Sequence, residues 1–232
     1  MTIRSLLCLV LLLASATAPV HGAGRDEVTL RPPAVPLVAC DPYFSIWSCA
    51  DKLTDDGTRH WTGKPHRLTS LVRIDGQAWR IMGDTPADVD ALKQTSLQVL
   101  PTRTIYTFED AGIALTLTFM TAALPEDIDL LSRPVTYLTY EFRATDGKSH
   151  DVQVYLDASA ELAVNTPNQE VVWSGEEMGD LVAGRIGSKD QPVLAKRGDD
   201  IRIDWGYLYV ACLLYTSPSP RDRTRSRMPS SA

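Results

Sequence analysis

The sequence predicts an all-β fold, an antiparallel β-sandwich reached through an extended N-terminal lead-in. Three observations predict it. Short apolar runs alternate with small or polar residues at a period of two, which puts one row of side chains on a buried face. Turn signals such as Asp75-Gly76, Ala111-Gly112 and Asp146-Gly147 separate these runs. No segment carries an apolar stripe at helical spacing for more than two turns. Of the 232 residues, 44% are hydrophobic and 22% charged, which suits a packed core and not a disordered chain.

Residues 1–22 read as a secretory signal peptide. Arg4 supplies the positive start, residues 6–14 the apolar stretch, and Val20-His21-Gly22-Ala23 a small-residue cleavage site. The apolar run is too short, and too soon interrupted by Pro19, to span a bilayer. The expected product is secreted or periplasmic, with no membrane contact after cleavage. The expected organisation is a signal peptide at 1–22, an N-terminal segment at 23–85, a β-sandwich domain at 86–211 cut at its C-terminal end, and a foreign tail at 212–232.

Pro32, Pro33 and Pro36 keep residues 25–38 extended, because proline fixes φ and removes a donor. Residues 42–48 alternate bulky and small side chains and predict a strand. Residues 51–63 are polar and predict a loop. Residues 68–74 and 77–82 predict a hairpin about Asp75-Gly76. In 84–92, Val89 and Leu92 stand three apart and predict one short helical turn. Strands are predicted at 95–100, 102–108 and 113–119, the last alternating strictly between Ile113, Leu115, Leu117, Phe119 and the small residues between them. A connecting loop at 124–134 leads to strands at 135–143 and 152–157, with Asp146-Gly147 between. Further short strands are predicted at 171–174, 181–186, 193–195, 201–205 and 207–210.

Composition then changes abruptly to Ser, Pro and Arg. Residues 212–222 and 226–232 resemble an in-frame translation of a sequencing-library adapter, with 223–225 in place of its variable index. The expectation is that the natural protein continues past Ala211. Removing the +1 of residues 1–22 and the +3 of residues 212–232 from the formal charge of −6 leaves −10 on residues 23–211. No stripe of Lys and Arg is present, which argues against nucleic acid as a partner.

Setting aside Cys8 and Cys212 leaves Cys40 and Cys49, a candidate disulfide in an oxidising compartment. Extended chain over that separation spans roughly 30 Å, whereas a disulfide needs Cα atoms within about 7 Å. The bond therefore requires a reversal, for which Asp41-Pro42 offers a turn. The alternative is two thiols on one extended segment.

Tyr43, Phe44, Trp47, Trp61 and Trp79 are expected mainly in the core, where large rings bury most area. Trp47 and Trp61 are the candidate ligand contacts, since exposed aromatics in an exported β-protein can form a sugar-binding platform. His60 and His66, with Asp55 and Asp56 upstream, do not match a zinc signature, so no metal site is expected. Asp41 is expected to bond its local backbone. Asp157 and Glu161 are close in sequence, but such pairs arise readily by chance in an acidic chain. No nucleophile elbow or phosphate loop is present, and no catalytic residue is assigned.

Several unusual strings occur in order: Arg31-Pro-Pro-Ala-Val-Pro-Leu37, Asp41-Pro-Tyr-Phe-Ser-Ile-Trp-Ser48, Lys52-Leu-Thr-Asp55, Arg59-His-Trp-Thr-Gly63, Leu115-Thr-Leu-Thr-Phe119, Asp129-Leu-Leu-Ser-Arg-Pro-Val-Thr-Tyr137, His150-Asp-Val-Gln-Val154 and Asp157-Ala-Ser-Ala-Glu161. Over residues 28–211 the chain resembles the glutaminase A family. The resemblance implies an exported protein whose N-terminal β region continues into an α-helical toroid, the chain's intramolecular partner. It implies hydrolysis of L-glutamine to L-glutamate and ammonia, without a cofactor, by groups in the helical part. This chain would then be the non-catalytic start of a secreted glutaminase-like hydrolase. The alternatives are the β-sandwich of a carbohydrate-active enzyme with a helical toroid, or a non-catalytic glycan-binding module.

Overall fold

Two-residue turns set the strand pairing. In the computed structural model, which describes residues 32–198 and 200–213, β1 (Val35–Ala39) and β2 (Ser45–Ser48) form an antiparallel pair. β3 (Leu68–Ile74) and β4 (Gln77–Met82) are joined by Asp75 and Gly76, at φ 50° and 93°. Positive φ at both central residues matches the twist of the flanking strands. β5 (Gln94–Leu100) leads to β6 (Arg103–Asp110), and Ala111 and Gly112, at φ 51° and 79°, turn β6 into β7 (Ile113–Thr121). β8 (Thr136–Ala144) and β9 (Val152–Ala158) follow, then β10 (Val171–Met178), β11 (Leu181–Ser188) and β12 (Leu208–Leu213).

All described pairings between these strands are antiparallel, as the all-β fold class requires. The sheets run β1-β2, β4-β3-β9, β5-β6-β7-β8 and β10-β11-β12. Alternation places one face of β3, β6 and β7 inward. On β7, Ile113, Leu115, Leu117 and Phe119 are buried, while the residues between them are partly exposed. They share a core with Tyr106 and Phe108 of β6, Val72 and Ile74 of β3, and Ile81 and Met82 of β4. Val35, Leu37, Val38 and Ile46 of the first hairpin belong to the same core. Ser70 ties two sheets: its Oγ donates to the Tyr155 carbonyl at 2.8 Å and meets the Tyr140 hydroxyl at 3.1 Å. Burial pushes the Tyr140 hydroxyl up to about 12, with the Ser70 contact lowering it slightly, so it stays protonated.

Four local expectations need correction. The helical turn expected at 84–92 is confined to residues 86–89, where Val89 N donates to Pro86 O at 3.3 Å, because Arg80 takes the carbonyls that would continue it. Its Nε donates to Val89 O (2.8 Å), its Nη1 to Thr54 O and Gly83 O, and its backbone N–H to Asp90 O. The loop expected at 124–134 contains one helical turn, α1 (Ile128–Leu131), because Asp127 Oδ1 accepts from Leu130 N at 2.9 Å. Residues 193–195 and 201–205 are not strands. Polar side chains hold that segment instead: Asn165 binds Arg202, and Asp204 is bound by Lys196 and Gln169. Finally, β12 runs past Ala211, pairing Cys212 with Val182 and Leu213 with Leu181. The signal peptide expected at 1–22 and residues 214–232 lie outside the described residues; among the described residues no helix is long and apolar enough to cross a membrane.

Cys40 and Cys49 are free thiols. The reversal a bond needs does occur, but its register defeats the bond. Val35 faces Ser48 and Ala39 faces Ser45, so Cys40 follows one end of the hairpin and Cys49 the other. Five residues of strand hold them about 16 Å apart. Cys40 Sγ instead lies 3.6 Å from Thr136 Oγ1, and burial pushes its thiol up. Both cysteines should therefore label with a thiol reagent without prior reduction, the exposed Cys49 faster. Peptide mapping that recovers a linked Cys40–Cys49 pair would contradict this placement.

Candidate functional site

The richest side-chain cluster is built on the segment from Thr58 to His66. Arg59 bridges to Trp47 through two backbone hydrogen bonds of 2.7 and 2.9 Å and to Pro65 on its other side. Gly63, at φ 86°, closes the tight loop between them, and His60 N donates to Lys64 O at 2.8 Å. This clamp fixes the backbone that carries His60 and Trp61.

His60 is buried, and its Nε2 lies 2.9 Å from the Pro42 carbonyl. A carbonyl only accepts, so the ring proton sits on Nε2. Nδ1 then accepts from Thr62, whose Oγ1 is 3.0 Å away. Burial first, then the Arg202 cation, lowers the His60 pKa, with the Pro42 contact opposing them. His66 lies beneath, its ring centre 4.9 Å from that of His60. It is buried, and neither ring nitrogen makes a hydrogen bond. Burial, then His60 and Arg202, push it down to about 4. Both rings are neutral at ordinary pH and sealed from solvent. They suit a structural support, and neither is placed to exchange protons with a substrate.

The outer surface of the cluster is aromatic. Trp61 Nε1 donates to the same Pro42 carbonyl at 2.7 Å, yet the side chain stays 56% exposed. Tyr43 follows Pro42 and is 47% exposed. Asp41 Oδ1 accepts from Tyr43 N and Phe44 N at 2.7 and 2.9 Å, fixing that turn. One peptide carbonyl, that of Pro42, thus anchors both His60 and Trp61, while the Asp41 carboxylate holds the Tyr43 backbone. Lys64 and Asp200, 3.6 Å apart and both exposed, supply charged groups at the edge. Such a surface can bind, and the Thr62 hydroxyl on His60 Nδ1 is its contact between a hydroxyl and a base.

Of the candidate ligand contacts, Trp61 is exposed here, but Trp47 is half-buried on β2 with Nε1 bonded to Ser45 Oγ at 2.6 Å. Tyr43, which follows the Pro42 that Trp61 bonds, is the other exposed aromatic residue of this region. The Asp41-Pro42 turn was the signal for it, since an Asx turn projects the residue that follows. Asp56 is held by Arg59 through Nε at 3.1 Å and Nη2 at 2.9 Å, Asp55 accepts from Lys52 N, and neither reaches the histidines. Glu161 pairs with Arg67 at 2.8 Å and Asp157 accepts from Tyr155 Oη at 3.1 Å, so these carboxylates have separate partners. Among the described residues no cluster of three or more His, Cys, Asp or Glu could hold a metal. A shallow hollow of about 270 Å³ lies elsewhere, on the strand rungs Thr107–Thr116–Glu141 and Glu109–Ala114–Arg143.

The model of a domain of unknown function, DUF5127, matches residues 102–228, more than half of the chain. The chain belongs to the DUF5127 family. Its DUF5127 region holds β6 to β12. A second domain of unknown function, DUF4964, matches residues 8–94 and contains the Tyr43–Trp61–His66 cluster. Glutaminase A of Aspergillus oryzae (strain ATCC 42149 / RIB 40) is 28% identical to this DUF5127 protein over 200 residues, covering 82% of this chain and 28% of the relative. The chain thus spans about 28% of the length of that relative. No solved structure matches it.

Proposed function

We propose that the chain is the non-catalytic N-terminal β region of a secreted glutaminase-like hydrolase. In that protein an α-helical toroid supplies the catalytic groups that convert L-glutamine to L-glutamate and ammonia. The observation that carries this reading is the 28% identity to Glutaminase A across 200 residues. The Tyr43–Trp61 surface supports it as a docking or site-lining face, because its aromatic rings are exposed on a backbone fixed by Asp41 and Pro42. No cofactor is proposed.

The test is a full-length reading frame continuing past Ala211, assayed for ammonia release from L-glutamine beside reducing-sugar release from glycans. Ammonia release that requires the C-terminal part is expected. Glycan cleavage without ammonia would overturn the glutaminase reading in favour of a carbohydrate-active enzyme. The exposed Trp61 also favours a second reading, a glycan-binding module. That reading expects retention of this chain on glycan arrays, lost in Trp61→Ala; no retention sinks it. Trp61→Ala should change stability by no more than about 1 kcal/mol, because one exposed ring and one net hydrogen bond are lost.

A further inference from the structure

Three turns meet at one end of the sandwich: Asp75-Gly76 between β3 and β4, Ala111-Gly112 between β6 and β7, and Asp146-Gly147 after β8. His150 sits among them. Its Nδ1 is 2.6 Å from Asp75 Oδ2 and its Nε2 is 3.0 Å from Asp146 Oδ1. The ring is 9% exposed. On a third side stands Gly112, where an added Cβ would lie 2.9 Å from His150 Cε1 and 3.1 Å from Asp146 Oδ2. Backbone bonds complete the junction: Asp151 N donates to Asp75 Oδ1, Asp75 N to Asp151 O, and Thr145 N to Gly112 O.

A carboxylate accepts hydrogen bonds and donates none. Each ring nitrogen that faces one must therefore carry a proton to bond it, and a neutral imidazole has only one N–H. We propose that His150 is a proton-dependent latch, tying the β3–β4 turn to the turn after β8 while both ring nitrogens are protonated and releasing one of them when a proton leaves. The loosened end would include the β6–β7 turn, which borders the hollow at Glu109, Ala114 and Arg143. The two carboxylates that face the ring favour the closed form, and the nearby Lys148 cation opposes it. Asp75 and Asp146 face it directly, and Lys148 touches Asp146 Oδ2 at 3.4 Å. Asp151 contributes its backbone, Asp110 turns its carboxylate to Ala111 N, and Arg73 donates to Gly76 O.

The direction with pH follows. Asp146 first, then Asp75, hold the His150 pKa above the ordinary 6.5. A raised folded-state value means stability that is complete below 6.5 and is lost as pH rises through the raised value. His60 and His66 act oppositely: their lowered values mean stability present above 6.5 and lost as pH falls, for His66 towards about 4. Asp146, depressed to about 2, keeps its own contribution until strongly acid pH. The latch is therefore read on the alkaline side, where the buried pair is silent.

The experiment uses the whole 232-residue chain. The His150 Cε1–H resonance is titrated by NMR, and urea midpoints are measured from about pH 6.5 to 8.5 for the native chain, His150→Gln and Asp146→Asn. His150 should titrate above 6.5 in the native chain and lower in Asp146→Asn. The native midpoint should fall with rising pH and the His150→Gln midpoint should not. A native His150 titrating at or below 6.5, or an unchanged slope in His150→Gln, would overturn the latch. If His150→Gln does not fold, the native titration and its shift in Asp146→Asn decide alone.

Discussion

Replacing Phe119 by alanine should destabilise the chain by about 3–5 kcal/mol, the usual cost of truncating a fully buried aromatic ring. Phe119 is 1% exposed and meets Tyr106 edge-on, with ring centres 6.3 Å apart at 79°. Contacts of this kind add roughly 0.5–1.5 kcal/mol to simple burial. The cost depends on whether neighbours can collapse into the space. Here they are pinned, since Phe119 is in register with Thr104 on one side and Leu138 on the other. Thr104 Oγ1 in turn donates to Pro36 O at 2.6 Å, fixing the first hairpin above. Phe119→Leu, which keeps most of the apolar volume, should cost much less. Urea unfolding followed by tryptophan fluorescence measures both. A loss below about 1 kcal/mol for Phe119→Ala would mean that the first hairpin is not seated on β6 and β7 as described.

Period-two alternation made the central strands legible, because each buried residue of β7 is separated from the next by a small or polar one. The Asp-Gly pairs fixed the hairpin at Asp75-Gly76 for the same local reason: positive φ is a property of the turn itself. What stayed illegible depends on distant partners. The residues from Asp84 to Leu92 look helical until Arg80 captures their carbonyls, and no local pattern announces that. Residues 193–195 and 201–205 have strand-like apolar residues, but backbone turn bonds fold the first and polar contacts from Asn165, Gln169 and Ser188 hold the second. Pro36 lies in a strand because its partner Trp47 turns both of its backbone groups to Arg59, so no ladder bond is asked of the proline nitrogen.

The candidate site was legible in its residue types more than in its arrangement. Trp61, His60 and His66 stand out in sequence, but the union of His60 and Trp61 at the Pro42 carbonyl joins segments 18 and 19 residues apart. Trp47 reads like Trp61, yet the strand pairing of β2 turns it partly inward. The two cysteines show the same limit. Their spacing allows a bond in a reversed chain, and only the register of the reversal excludes it. His150 is harder still, since its partner Asp75 lies 75 residues away and is brought to it only by the pairing of β3 with β9. A lone exposed-looking histidine after a turn gives no hint of two carboxylates.

Gly112→Ala tests that junction most directly. Gly112, Gly76 and Gly147 all have positive φ, of 79°, 93° and 75°. An alanine at any of them should lose about 1–2 kcal/mol from the left-handed backbone alone. At Gly76 and Gly147 nothing lies within 4 Å of the added Cβ, so that loss is the whole effect. At Gly112 the Cβ meets the His150 ring at 2.9 Å. The ring cannot retreat without breaking a bond to Asp75 or Asp146, so Gly112→Ala should cost clearly more than either control. Because the excess arises from displacing the closed latch, it should shrink as pH rises through the His150 titration. It should also vanish when His150 is already glutamine, since the flexible amide can move aside. Equal losses for the three glycine variants in urea unfolding at neutral pH would show that the ring does not occupy this junction.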